Sequence, residues 1–250
     1  MIVLAIILGI LQGLTEFLPI SSSGHLAILE HYFGVAEPVT LAVFLHFGTF
    51  LATLVYFSRP IRDLMRGMVR RDRQSIGYIR NICIGTIPIV IFAFLFKRYI
   101  EQSFTNLTLV ALLLGITGAI LILTGVVVRG TKKITLVSAV LIGVSQMFAV
   151  FPGISRSGVT IASGLFLKVK PDKVFTFSFL LSLPAIAGAF FLEAVSISSL
   201  ENIPSLFIGM VFSFLSGLVA LKILRLLVEK YFHLFGIYCL VISLIIYLAQ

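Results

Sequence analysis

Two short polar runs interrupt a chain that is otherwise oily. The first, QGLTEFLPISSSGH at 12–25, carries Gln12, Glu16, Ser21, Ser22, Ser23, Gly24 and His25; the second, PGISRSG at 152–158, carries Ser155, Arg156, Ser157 and Gly158. Glu16 is the only acidic residue well inside an apolar region, and Arg156 the only such basic one. Charges at membrane depth are costly and mostly functional. The bland alternative is a structural Glu16–Arg156 ion pair that holds the two runs together. Gln12 and Glu16 are four apart and share one helix face, where their oxygens suit a hard cation such as Mg²⁺ or Ca²⁺. One carboxylate and one amide make a weak site unless substrate phosphates complete it. A helix–helix hydrogen bond is the plainer role for Gln12, and the matching Gln146 favours it.

Ser21 to Gly24 follow Pro19, and an apolar helix resumes at His25. This is the pattern of a helix N-terminus, which attracts anions through its N–H groups and dipole. Residues 154–158 repeat it and add a guanidinium, whose planar fork suits phosphate. Two such ends facing each other point to a phosphate or diphosphate site, although serines also serve simply as caps. His25 lies three residues after Ser22. It can activate that serine, or act itself as nucleophile or proton donor. A lone His in an apolar chain is more often a core residue; the polar company of His25 weighs toward function. His46 lies in a full span and can reach the same cavity, whereas His31 and His233 fall near segment ends and read as interfacial.

What must position these residues is a membrane protein. Of 250 residues, 59% are hydrophobic and 12% charged, too few charges to cover a soluble surface. The net charge of +9 is a topology signal rather than a nucleic-acid footprint. Cys83 and Cys239 have no metal or redox spacing and read as core residues, and the apolar N-terminus, lacking a basic start, reads as retained. Six segments approach the roughly 20 residues a span takes: 39–57, 82–100, 107–128, 174–194, 205–227 and 233–249. The regions 1–33 and 135–168 instead break at their Pro/Ser/Gly clusters into halves suited to re-entrant hairpins, whose irregular backbone must line an internal cavity. With six spans and two hairpins, sixteen of the nineteen basic residues fall on one face: loop 58–80 and segments 129–133, 168–173 and 222–230. That face is expected to be cytoplasmic.

The sequence 9–24, GILQGLTEFLPISSSG, aligns without a gap on 143–158, GVSQMFAVFPGISRSG, with seven of sixteen positions identical. The fold expected is therefore an all-α, polytopic single membrane domain of six transmembrane helices plus two re-entrant hairpins. Repeat 1 covers about 1–128 and repeat 2, inverted, about 129–250. Inverted repeats place their site between the halves at broken helices. The unshared residues stand out: Ser22 aligns with Arg156, Glu16 with Val150 and His25 with Val159.

The residues 11–25, LQGLTEFLPISSSGH, together with 152–158, PGISRSG, closely resemble the undecaprenyl-diphosphate phosphatase family, membrane enzymes that confer bacitracin resistance. The resemblance runs over nearly the whole chain. It implies removal of the terminal phosphate of a polyprenyl diphosphate, with a divalent cation, at the outer side of the cytoplasmic membrane. The monophosphate carrier so produced is reused in peptidoglycan synthesis. It places the metal motif on Gln12 and Glu16, the catalytic serine on Ser22, the histidine on His25 and the phosphate-binding arginine on Arg156. Ser21, Ser23, Gly24, Ser155, Ser157, Gly158 and His46 complete the binding set. Two positions depart from the family's pattern: Gln12 where many members have Glu, and His46 where Gln is expected. Ser22, His25 or a water placed by His25 remains open as nucleophile, with Glu16 holding the metal or orienting His25. The expected partners are the lipid substrate and the bilayer, with no nucleic acid; a homodimer stays open. The alternative function is a carrier that flips prenyl phosphates, which has no need of Ser, His and Glu gathered in one repeat only.

Overall fold

Apolar runs of this length satisfy their backbone internally only as helices. The computed structural model describes residues 2–33, 39–195 and 202–249, and among them the chain is helical, with one isolated bridge between Lys132 and Val169. The helices in order are α1 (Ile2–Phe17), α2 (Ser22–Phe33), α3 (Val39–Tyr56), α4 (Ser58–Val69), α5 (Arg73–Leu95), α6 (Lys97–Ser103), α7 (Leu107–Leu123), α8 (Leu136–Met147), α9 (Arg156–Phe166), α10 (Pro171–Val195), α11 (Ile203–Leu227) and α12 (Leu234–Leu248). Polar side chains set several starts. Asp72 accepts from the Ser75 N–H (2.8 Å) to open α5, and Asn106 accepts from the Leu109 N–H (3.0 Å) to open α7. Thr135 and Ser138 cap α8 reciprocally.

Small residues let the helices approach closely, as membrane packing requires. Gly9 and Gly13 of α1 lie against Gly209, Ser213 and Gly217 of α11, and a Cβ at Gly13 would collide with Ser216. Ala5 lies near Gly209 and Phe17 near Gly217, so α1 and α11 run in the same direction. Gly143 of α8 meets the backbone of Gly85 on α5, and Gly118 of α7 meets Gly236 of α12.

The two broken helix pairs open to opposite ends. Lys132 exchanges backbone hydrogen bonds with Lys168 and Lys170 (3.0 Å each), so the segment holding α8 and α9 leaves and returns at one place. Arg129 donates to the Val228 carbonyl, Arg225 pairs with Asp172, and Phe57 packs on Phe175 at 5.7 Å. Those contacts gather the four basic stretches at this end. On the other side, Leu26 and Leu29 of α2 pack with Ala5, Leu41, Leu45 and Leu206, which brings α1 and α2 back to the start of α11.

The lengths differ from expectation in three places. Residues 58–80, read as a loop, form α4 and the start of α5; Ile61 and Leu64 turn one face of α4 to the core while Arg59, Arg62 and Arg66 are exposed. The span placed at 82–100 is α5, which begins at Arg73 because Asp72 caps it. The span placed at 233–249 is α12, whose 15 residues cover about 22 Å, less than the hydrocarbon core. Among the described residues α5, α7, α10 and α11 are long and apolar enough to cross, and α3 with α4, bent by 67°, adds a fifth candidate. Cys239 is buried, but Cys83 is exposed on the outer side of α5 rather than in the core.

Candidate active site

Both breaks are built by a serine that caps the helix after it. At the first, α1 stops at Phe17 and a turn at 18–20 leads to Ser21, whose φ of 67° is uncommon for a residue with a Cβ. Its Oγ accepts from the Gly24 N–H (3.2 Å) and, across to the second break, from the Gly153 N–H (3.1 Å). At the second, the left-handed residue is Gly153 (φ 98°), and Ser155 Oγ accepts from the Gly158 N–H at 3.2 Å. Thr117 of α7 ties this turn down, donating to the Gly153 carbonyl (2.8 Å) and accepting from the Ser155 N–H (3.2 Å). The breaks interlock: a Cβ on Gly24 would stand 3.2 Å from Gly153, and one on Gly158 would stand 3.4 Å from Pro19. Ser23 and Ser157 sit beside the caps at 3.3 Å.

With the capping serines placed, the next residue of each run is free to do something else. Ser22 and Arg156, aligned in sequence, are the first residues of α2 and α9. Both reach the same carboxylate. Ser22 Oγ donates to Glu16 Oε2 at 2.8 Å, and Arg156 Nη2 forms an ion pair with Glu16 Oε1. The pair is nearly buried, with side chains 9% exposed for Glu16 and 13% for Arg156. Gln12 Nε2 donates to Glu16 Oε2 (3.2 Å) and lies 3.1 Å from His46 Nδ1, so His46 does join the cluster. Two buried atoms are left without a partner: Arg156 Nη1, a donor, and Gln12 Oε1, an acceptor. Gln146, the counterpart of Gln12, has neither its Nε2 nor its Oε1 bonded.

His25 stands apart from this cluster. Its Nδ1 is 2.8 Å from the Ser21 carbonyl oxygen and its Nε2 2.7 Å from Tyr238 Oη, and it has no hydrogen bond to Ser22 or Glu16. The orientation of His25 by Glu16, left open in sequence, is therefore not what the folded chain uses. His25 and Tyr238 form one wall of an apolar groove of about 760 Å³, otherwise lined by residues such as Leu14, Leu18, Ile20 and Phe235. Sequence reasoning missed Tyr238 and Thr117. A tyrosine in a short terminal span reads as an interfacial anchor, and a threonine within 107–128 has no distinguishing neighbour.

The donor set for a cation is small. No group of three or more His, Cys, Asp or Glu residues with metal-binding arrangement occurs among the described residues. Glu16 already holds three partners, and Gln12 Oε1 is the available neutral oxygen. A hard cation fits here only with oxygens brought by a phosphate ligand.

Sequence comparison places these features in company. The family described as Bacitracin resistance protein BacA matches residues 5–245. A protein of Thermosipho africanus (strain TCF52B) named undecaprenyl-diphosphatase is 38% identical over 244 residues, 96% of this chain and 97% of its own. A protein of the same name from Methanococcus maripaludis (strain C7) is 39% identical over 243 residues, covering 95% of this chain and 96% of its own. One from Thermotoga petrophila is 36% identical over 248 residues, with 98% and 99% covered.

Proposed function

The chain belongs to the bacitracin resistance protein family, and on that premise we propose that it is a phosphatase of undecaprenyl-type diphosphates. It removes the terminal phosphate and leaves the monophosphate lipid. The observation that carries this reading is the meeting of Ser22, Glu16 and Arg156, drawn from both breaks onto one buried carboxylate. In the resting site Glu16 satisfies half of the guanidinium. The unpartnered Nη1 of Arg156 then offers the first contact to a phosphate oxygen, and the α2 and α9 N-termini add their N–H dipoles. Ser22 Oγ attacks the terminal phosphorus, and its proton passes along the existing 2.8 Å hydrogen bond to Glu16 Oε2. The bond from that phosphorus to the bridging oxygen breaks, and the lipid monophosphate departs with the electron pair. Water then hydrolyses the phosphoserine, releasing inorganic phosphate and returning the serine. Arg156 stabilises the charge on the transferring group throughout. A divalent cation, Mg²⁺ or Ca²⁺, would be held by Gln12 Oε1 and the diphosphate itself, beside the Glu16 carboxylate before that group takes the Ser22 proton, and would supply positive charge against the leaving phosphate.

In the same reading the α1–α2 and α8–α9 pairs are re-entrant hairpins of an inverted repeat with six crossings. Their opening to opposite ends, and the pairing of α1 with α11 and of α8 with α5, support it. The basic end faces the cytoplasm of the cell membrane, and the site opens outward. The apolar groove beside His25 takes the first isoprene units of the tail, which keeps the headgroup at the depth of the breaks. The test is phosphate release from a long-chain polyprenyl diphosphate by purified protein in detergent, with and without Mg²⁺ or Ca²⁺. Metal-dependent turnover is expected, and about 100-fold or greater loss in Ser22→Ala. Unchanged turnover in folded Ser22→Ala and Arg156→Ala proteins would overturn the assignment.

A further inference from the structure

The Ser21 carbonyl can only accept a hydrogen bond. His25 Nδ1, 2.8 Å away, must therefore carry the ring proton. The lone pair of the neutral ring is then on Nε2, and the Tyr238 hydroxyl at 2.7 Å donates to it. The two ring planes are nearly parallel, 8° apart, with their centroids 5.8 Å from each other. Tyr238 is itself held firmly. Its neighbour Cys239 is buried, with Sγ directed at the Pro19 carbonyl (3.5 Å) in the turn before Ser21. Two residues before Tyr238 and five after, α12 is locked on α7 by the Gly236–Gly118 approach and by Ser243 donating to the Ala111 carbonyl at 2.6 Å. His25 is thus gripped at both nitrogens, by its own break and by the last helix of the other half.

We propose that Tyr238 is a positioning residue for His25, fixing the Nδ1–H tautomer and making Nε2 the atom through which His25 exchanges a proton on the groove wall. A phenol suits the task because it can reverse its role. It donates to a neutral Nε2 and accepts from a protonated one; phenylalanine does neither. The other titratable group in the groove is Tyr231, and no charged side chain lines it. The proposal rests on His25 serving the phosphatase reaction, the role that the resemblance implies for it, in addition to the Ser22–Glu16 proton route described above.

The experiment combines a double-mutant cycle with spectroscopy. Tyr238→Phe is expected to lower kcat about 10-fold or more, the lower range of acid–base effects, with KM changed less than about twofold. Because Tyr238 acts through His25, Tyr238→Phe should cost nothing further in a His25→Ala protein. Nitrogen-15 spectra of the four histidines should show a ring in the Nδ1–H form that His25→Ala removes and Tyr238→Phe shifts at Nε2. An equal loss in both backgrounds, or wild-type kcat in Tyr238→Phe beside an impaired His25→Ala, overturns the proposal. So does an Nε2–H ring in the wild-type spectrum. Full activity in His25→Ala instead defeats the catalytic reading of His25, and the spectrum then decides the tautomer independently.

Discussion

In the proposed reaction one carboxylate, Glu16, is both anchor and reagent. Its bond to Arg156 ties the two breaks together, and in that reaction its bond to Ser22 prepares the nucleophile. The two roles separate by substitution. Glu16→Gln keeps the shape but leaves a guanidinium buried without its charge partner, a situation that costs about 3–5 kcal/mol. We expect that variant to lose both phosphate release and several degrees of thermal stability. Ser22→Ala, by contrast, should lose activity and melt within a degree or two of wild type. Arg156→Lys retains the charge but not the fork. It should keep most of the stability while turnover falls about 100-fold, as for a lost transition-state donor. Calorimetry in detergent alongside phosphate release measures both. A uniform loss of stability across all three would reduce the cluster to a structural strut. Sequence disclosed Glu16 and Arg156 because each is a lone charge in an oily region. The residues themselves did not set Ser22 apart from its neighbours; only the resemblance pointed to it. Ser21, Ser22 and Ser23 are chemically alike, and only the backbone shows that Ser21 is consumed as a cap while Ser22 points at the carboxylate.

At the scale of elements, packing depends on glycines that differ sharply in what surrounds them. Gly143 on α8 has the Gly85 backbone where a Cβ would go, and backbone cannot move aside cheaply. Gly77 on α5 has nothing within 4 Å. Alanine should therefore act in opposite directions at these sites. At Gly77 it removes helix-interior flexibility and should stabilise by about 0.5–1 kcal/mol. At Gly143 it should destabilise, because it forces α8 off α5 and with them the second break. Thermal unfolding of the two single variants checks the signs, and a stabilising Gly143→Ala would mean that the α5–α8 contact is looser than its geometry. The breaks themselves were legible, since Pro, Gly and Ser clusters punctuate apolar helices in any environment. Helix α4 was missed because the seven arginines spread over 59–80 made the stretch resemble a loop. Its apolar spacing, Ile61, Leu64, Met65 and Met68, is nonetheless that of an amphipathic helix. Helix α12 falls just inside the short segment read at 233–249, because Glu229, Lys230 and His233 make the preceding turn polar and the apolar run starts only at Leu234.

Over the whole molecule, the distribution of charge and the connectivity of the helices make one argument. Three basic segments touch through Lys132–Lys168, Arg129–Val228 and Arg225–Asp172, and the fourth follows Phe57, which packs on Phe175. Lys97 and Arg98 begin α6, at the far end of α5, which rises about 34 Å over its 23 residues. That length is one bilayer core. Arg70, just before α5, and Gln102, just after it, are both exposed and should therefore lie on opposite sides of the membrane. The excess of basic residues assigns Arg70 to the cytoplasm. With Cys83 and Cys239 replaced by serine, a cysteine at Gln102 should react with an impermeant thiol reagent in intact cells. A cysteine at Arg70 should react only after lysis. The reverse pattern would invert the molecule and turn the α1–α2 break, with Ser22, toward the cytoplasm. Labelling of both from outside would remove α5 as a crossing, and with it the opposed entry of the two broken pairs on which a site between the halves depends.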